Sequence, residues 1–336
     1  MAQTITVIPG DGIGPEVTDA TLTVLKAAGA DLEYDMQQAG LIALQEQRNP
    51  LPKSTLESAE ANRIMLKGPL TTPSGAGFRS INVEMRKAFD LYAHVRPVRT
   101  IVPGGRYEDI DLVLIRENTE GLYVGVEHYI GIHGDPHAAA ESVMIITRFG
   151  AERICRYAFE YARANGRKKA TLAHKANILK FTQGLFLEVG QEVAKEYPDI
   201  EWEDRIIDAT AMLLVLDPYR FDVLVMENMF GDILSDLAAA TTGSLGTLPS
   251  ASVGAGTALY EPVHGSAPDI AGTGVANPMG MILSVAMCVD RTLGEPTLAT
   301  AIREAVRNTM AHGDVPADLG GETSTMAFAS AVRNRL

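Results

Sequence analysis

Short apolar runs that end in turns and pass into helical patterns constrain this 336-residue chain most. ITVIPG leads into PEVTDATLTVLKAAG, and Asp111–Arg116 (DLVLIR), Ala170–His174 (ATLAH) and Phe221–Met226 (FDVLVM) repeat the theme. Near-continuous aliphatic runs of this length read as strands buried on both faces. Strands alternating with helices predict an α/β fold built on a largely parallel sheet. The length allows two domains, and a hydrophobic content of 46% suffices for a packed core.

The first strand-to-helix turn, GDGIGPE, invites a dinucleotide-binding reading. The usual cradle spaces its glycines G-x-G-x-x-G, so that the backbone approaches pyrophosphate at a helix N-terminus. Here Gly10, Gly12 and Gly14 alternate and Pro15 takes the third glycine's place. Glu16 then puts a carboxylate in the first helical turn, where bound pyrophosphate needs positive potential. The plain reading is a turn with Gly14 near the N-cap, Pro15 opening the helix and Gly29 closing it.

A formal net charge of −13 argues against general nucleic-acid binding. It leaves an anionic substrate open, because a few arginines can dominate one cleft. Cys155 and Cys288 are the only cysteines, which suggests neither a disulfide framework nor a zinc site and fits a reducing cytoplasm. No apolar run is long enough for a membrane span, and the start lacks a secretory pattern. Residues 127–141 read as an excursion from the core. His133 and His137 have helical spacing there, but Gly134 and Pro136 between them make a helical metal pair unexpected.

Several side chains invite chemistry. Arg79, Arg86, Arg96 and Arg116 carry planar forks suited to carboxylates, and Arg116 ends a strand that should be buried. Asp232 and Asp236, four apart after FDVLVM, share a helix face. A hard cation, Mg2+ or Mn2+, would relieve their repulsion; alternatively Asp232 caps the helix and Asp236 is solvated. Asp208, after Ile206-Ile207, is a third carboxylate candidate. Lys175, at the end of ATLAH, could act as a general base and Tyr123, in TEGLYVG, as an acid.

Seven ordered stretches then point one way: VIPGDGIGPE, SINVEMR, DLYAHVRP, RENTEGLY, HKANILKFTQG, NMFGDILSDLAAA and EPVHGSAPDIAGTGVANP, and with the DLGG near the C-terminus they run from about residue 5 to residue 325. Together they resemble the motifs of the β-decarboxylating dehydrogenases, the isocitrate/isopropylmalate dehydrogenase family. The resemblance implies two α/β domains that are not an ordinary Rossmann fold. The large cofactor domain would combine residues 1–97 and 250–336. The small dimerisation domain would span 98–249, with a clasping arm at about 127–148.

Carried over residue by residue, the resemblance puts the cofactor loop at 264–277, with Ile13, His264, Gly265, Ser266, Ala267, Asp269, Ile270 and Asn277 as contacts. NADP-using relatives carry Lys-Tyr where this chain has Asp269-Ile270, and Asp269 would repel a 2′-phosphate, so NAD is expected. Substrate binding falls to Ser80, Asn82, Arg86, Arg96, Arg116 and Asn177. The metal falls to Asp208, Asp232 and Asp236, and catalysis to Lys175 and Tyr123. Ser80 and Asn82 match the pattern that holds the γ-carboxylate of isocitrate. The implied reaction is oxidative decarboxylation of isocitrate to 2-oxoglutarate. Homoisocitrate is the first alternative, then 3-isopropylmalate, tartrate or D-malate. Lys175 and Asp208 would come from the partner subunit of a homodimer.

Overall fold

The structure, a computed structural model, describes residues 3–73, 80–101 and 106–336; Arg79 lies outside them. Two compact units divide the chain: Met1–Leu91, Val95–Asp111 and Ala239–Leu336 form the first, Tyr92–His94 and Leu112–Ala238 the second.

The first unit contains strands β1 (Gln3–Ile8), β2 (Leu32–Met36) and β3 (Ile64–Lys67), with β4 (Ala93–Arg99) ending in it, and then β11 (Pro249–Val253) and β12 (Ala258–Pro262). Its helices are α1 (Gly14–Ala27), α2 (Leu41–Gln47), α3 (Lys53–Asn62), α4 (Ile81–Ala88), α9 (Met279–Arg291), α10 (Pro296–Ala311) and α11 (Thr325–Arg333). The strands run in the order β2-β1-β3-β12-β11-β4. β1 lies parallel to β2 and β3, and β3 parallel to β12, whereas β11 and β12 are antiparallel. β3 is buried along its whole length, as an apolar run covered on both faces must be. Ile8, Met65, Ile81, Met85 and Leu259 pack one core cluster around it.

The second unit contains β5 (Asp111–Glu117), β8 (Lys169–His174), β9 (Glu201–Ile206) and β10 (Val223–Met226), and helices α5 (Arg148–Ala164), α6 (Thr182–Ala194), α7 (Ile207–Leu216) and α8 (Asn228–Thr242). Its strands run β5-β10-β8-β9, all parallel. β10 is shorter than FDVLVM suggests: Phe221 and Asp222 precede it, and the Asp222 carboxylate accepts the N–H groups of Lys168 and Lys169.

The excursion is a hairpin of β6 (Glu127–Ile132) and β7 (Asp135–Ser142), exposed at every residue except the half-buried Ala139. His133 and Gly134 form its two-residue turn, both with positive φ, as the strand twist of a tight hairpin requires. The His137 ring stacks on Tyr129 at 4.2 Å, and no helix forms here. The hairpin ends at Ser142, short of the expected arm boundary. Thr147 caps a new helix, α5, by accepting the Gly150 N–H.

The GDGIGPE turn differs in detail from its sequence reading. Ile13 occupies the N-cap of α1, with Gly14 first in the helix and Pro15 behind it, while Gly29 follows the helix end with φ +81°. Asp11 is buried, and its carboxylate accepts the N–H groups of Leu41 and Thr71 at 2.8 and 2.9 Å, tying the turn to α2 and to the segment after β3. No helix among the described residues is long and apolar enough to cross a membrane.

Candidate active site

In the second unit the charged side chains gather at the C-terminal ends of parallel strands, where open α/β sheets place their sites. Arg116, on β5, is only 1% exposed. Its register partner on β10 is Met226, two residues before Asn228. The Asn228 side-chain oxygen accepts Arg116 Nε at 3.1 Å and Nη2 at 2.7 Å. Nη1 pairs with Asp232 Oδ1. Asp232 Oδ2 accepts the Tyr123 hydroxyl at 2.6 Å, and the Tyr123 ring lies 5.2 Å from the guanidinium. α8 can pass this close because Gly231 lacks a side chain: a Cβ there would sit 2.5 Å from Arg116 Cγ.

Asp232 lies inside α8, so the helix-cap alternative fails. Glu227 takes that role, accepting the N–H groups of Met229 and Phe230 at 3.1 and 3.0 Å. Glu117 anchors the turn after β5 in the same way, through Thr119 and Glu120. Burial pushes both carboxyls above their ordinary range. Asp236, exposed, is one helical turn beyond Asp232.

A second cluster follows β8. The Lys175 N–H donates to Gln183, and its Nζ lies 2.6 Å from Asp208 Oδ1, in the first turn of α7. This hydrogen bond holds the Asp208 carboxyl below its usual range. Asn177 is exposed in the turn. Among the described residues, no three His, Cys, Asp or Glu side chains gather around one point that could hold a metal. Within one chain, Asp208 therefore does not join Asp232 and Asp236.

The first unit supplies different chemistry. Ser80 is the N-cap of α4, but its side chain makes no cap bond; its hydroxyl accepts from Thr72 at 3.4 Å. The side-chain oxygen of Asn82 is buried without a partner among the described residues. Arg86, one turn further on, and Arg96 on β4 are both buried. Glu84 points to solvent.

Loop 264–277 packs on the GDGIGPE turn. Ser266 O accepts the Ile13 N–H at 2.9 Å, and Glu16 accepts the Gly274 N–H at 3.0 Å. Gly12, with φ +57°, permits this approach: a Cβ would lie 2.0 Å from Ser266 O. Thr71 and Ser266 share a hydroxyl–hydroxyl bond of 2.7 Å. Asn277 is fixed by Met279 N–H and Asp318. Ala267 accepts the Ile270 N–H, closing a turn that presents Asp269 to solvent. Glu16 thus braces the loop.

A model of the isocitrate/isopropylmalate dehydrogenase family matches residues 4–332. The chain belongs to this family. It is 45% identical to the Arabidopsis thaliana protein named isocitrate dehydrogenase [NAD] catalytic subunit 5, mitochondrial, over 99% of this chain and 88% of that one. It is 46% identical to the 3-isopropylmalate dehydrogenase of Archaeoglobus fulgidus (99% of each chain) and 47% identical to the homoisocitrate dehydrogenase of Methanocaldococcus jannaschii (98% and 96%). Its fold superposes on the isocitrate dehydrogenase of Methylococcus capsulatus with a TM-score of 0.97 and 52% identity, covering 100% and 99% of the two chains. It is an oxidative decarboxylating dehydrogenase of this family.

The residues fit the family's cofactors. An added Cβ at Gly265, Gly272 or Gly274 would meet no atom within 4 Å, so the loop backbone is open to a ligand. His264 Nε2 is buried without a partner, a polar atom at the head of that loop. Asp232 and Asp236 offer hard oxygen donors one helical turn apart, the chemistry Mg2+ or Mn2+ selects. Sequence reasoning gave no role to Asn228, Glu227, Lys67 or Glu261, although all but Lys67 stand in or beside the quoted motifs. Only their contacts single them out.

His264 yields a pH prediction. Burial lowers its pKa from the ordinary 6.5. The folded state therefore binds fewer protons than the unfolded one, and stability falls as pH drops below 6.5, by at most about 1.4 kcal/mol per pH unit. Urea unfolding at pH 5.5 and 7.5 should show a smaller loss for His264→Asn than for the parent; equal losses would exclude this group as the cause.

Proposed function

We propose that this family member is an NAD-dependent isocitrate dehydrogenase. The carrying observation is the polar start of α4: the Ser80 hydroxyl makes no cap bond, and the Asn82 amide oxygen is buried without a partner among the described residues. The Ser80 hydroxyl and the Asn82 amide N–H can donate to a substrate carboxylate, and water bound with it can donate to the Asn82 oxygen, whereas an isopropyl group does neither. Homoisocitrate is the second reading, because its extra methylene is weakly discriminated and a relative of that name is 47% identical.

In this reading Arg86, Arg96 and Arg116 hold the malate portion common to all these substrates, and Asn177 adds a polar contact. Ile13 and the 264–277 loop hold the dinucleotide, with Asp269 on the adenosine ribose. Asp232 and Asp236, with Asp208 of a second subunit, hold the divalent metal. When bound, NAD+ would supply the hydride acceptor and the metal a Lewis acid. Lys175, paired with Asp208, takes the hydroxyl proton. Tyr123, oriented by Asp232, delivers a proton to the carbon that loses CO2.

A homodimer sharing its sites follows from this reading. It gives residues 98–249 the dimerising role and 1–97 plus 250–336 the cofactor role. Its support is the exposed apolar surface of the second unit: Tyr129, Ile130 and Ile132 on the hairpin, and Phe181, 90% exposed, before α6. An isolated hairpin is marginal in water without something to pack on. The cytoplasm is the proposed compartment, consistent with two buried free thiols.

Initial rates of NADH formation test the substrate reading. With Mg2+ or Mn2+, kcat/KM for D-threo-isocitrate with NAD+ should exceed that for homoisocitrate, 3-isopropylmalate and D-malate by at least about tenfold. A preference for another of these would leave the family chemistry intact and overturn the reading of residues 80–86.

A further inference from the structure

Lys67, the last residue of β3, is 1% exposed and has no role so far. Its Nζ lies 2.6 Å from Glu261 Oε2 and donates to Gly68 O at 2.9 Å. Glu261 sits on β12, where its carbonyl accepts two serine hydroxyls, Ser250 at 2.7 Å and Ser284 at 2.9 Å. Its backbone is therefore a fixed anchor. Its other carboxylate oxygen, Oε1, lies 3.5 Å from Arg86 Nη2. Burial would push the Glu261 carboxyl up, but Lys67 and Arg86, with Arg96 behind them, bring it below the ordinary range. The carboxylate is thus ionised beside its cations.

The geometry around Arg86 is unusual for a buried guanidinium next to a carboxylate. Such pairs favour two parallel N–H···O bonds. Here, among the described residues, a single nitrogen makes one long contact to Glu261, and Arg86 Nε is buried with no partner. Lys67 holds Oε2 at 2.6 Å and so fixes how the carboxylate is turned, with Oε1 the oxygen that faces Arg86.

We propose that Lys67 and Glu261 are positioning residues for Arg86. Glu261 tethers one guanidinium nitrogen, and Lys67, by holding the second carboxylate oxygen, keeps Arg86 from closing its fork on Glu261. The fork then remains open for a carboxylate of the substrate. This rests on the reading that Arg86 binds substrate.

The consequence is a rescue that a purely structural pair would not show. In Lys67→Met, Oε2 is released, Arg86 and Glu261 form a two-pronged pair, and the substrate must compete with an internal carboxylate. In Lys67→Met/Glu261→Gln the competitor is a neutral amide, and the fork opens again. KM and kcat should be measured with whichever 2-hydroxy acid of the panel the parent turns over best. Lys67→Met should raise KM about tenfold or more, with kcat within about threefold. The double variant should return KM to within about threefold of the parent. A single variant with unchanged KM, or a double variant no better than the single, overturns the proposal. The double variant removes one charge of each sign, so the net charge of the cluster is that of the parent; if it alone folds, a KM more than about threefold above the parent also overturns the proposal. Arg86→Gln separates the two levels. If it leaves KM unchanged, the reading of Arg86 falls; if it raises KM while Lys67→Met does not, only the positioning pair falls.

Discussion

Lys175→Met is expected to lower kcat about a thousandfold and to leave the fold in place. Removing a positioned general base costs typically 10²–10⁴ in rate. Stability should barely change, because the Lys175–Asp208 pair lies at the surface, with Asp208 68% exposed, where solvent screens the attraction. The assay is NADH formation beside a thermal midpoint for the same preparation. A kcat within tenfold of the parent would remove Lys175 from the chemistry. The same variant tests the shared site. Lys175→Met and Asp232→Asn, each inactive alone, should regain about a quarter of parental activity when subunits are mixed and reassociated. Half of the random dimers are then mixed, and each holds one intact site of two. No recovery from demonstrably exchanged subunits would place Lys175 and Asp232 in the same chain's site.

The pair Asp269→Lys and Ile270→Tyr should move cofactor preference from NAD+ toward NADP+. Asp269 is exposed in a turn closed by backbone atoms, Ile270 N–H to Ala267 O, so the exchange costs little in folding. A carboxylate beside the ribose accepts its hydroxyls and repels a 2′-phosphate, while a lysine reverses both effects. The ratio of kcat/KM for NAD+ to that for NADP+ should fall about a hundredfold or more. A ratio unchanged within threefold would show that the loop's discrimination lies elsewhere.

The two predictions draw on different kinds of information. The cofactor exchange uses local chemistry in one continuous loop, and a contiguous motif displays that in full. The complementation test depends on which chain supplies Lys175, and no spacing in the sequence carries that. GDGIGPE shows the same divide. Its glycine spacing spoke against a pyrophosphate cradle, but only the fold shows Glu16 bracing Gly274 and Asp11 tying the turn to α2.

By itself the sequence determined the α/β class, the strands at DLVLIR, ATLAH and FDVLVM, and the family, because apolar period and contiguous motifs are local properties written along the chain. The tertiary structure alone decided that Asp232 lies within α8 beside Arg116 and Tyr123, that Glu227 takes the helix cap, and that Lys67 and Glu261 meet beside Arg86. These pairings join residues up to 194 positions apart, as the Lys67–Glu261 contact shows. They arise from sheet order and register, through which residues remote in the chain become neighbours across 5 Å of sheet.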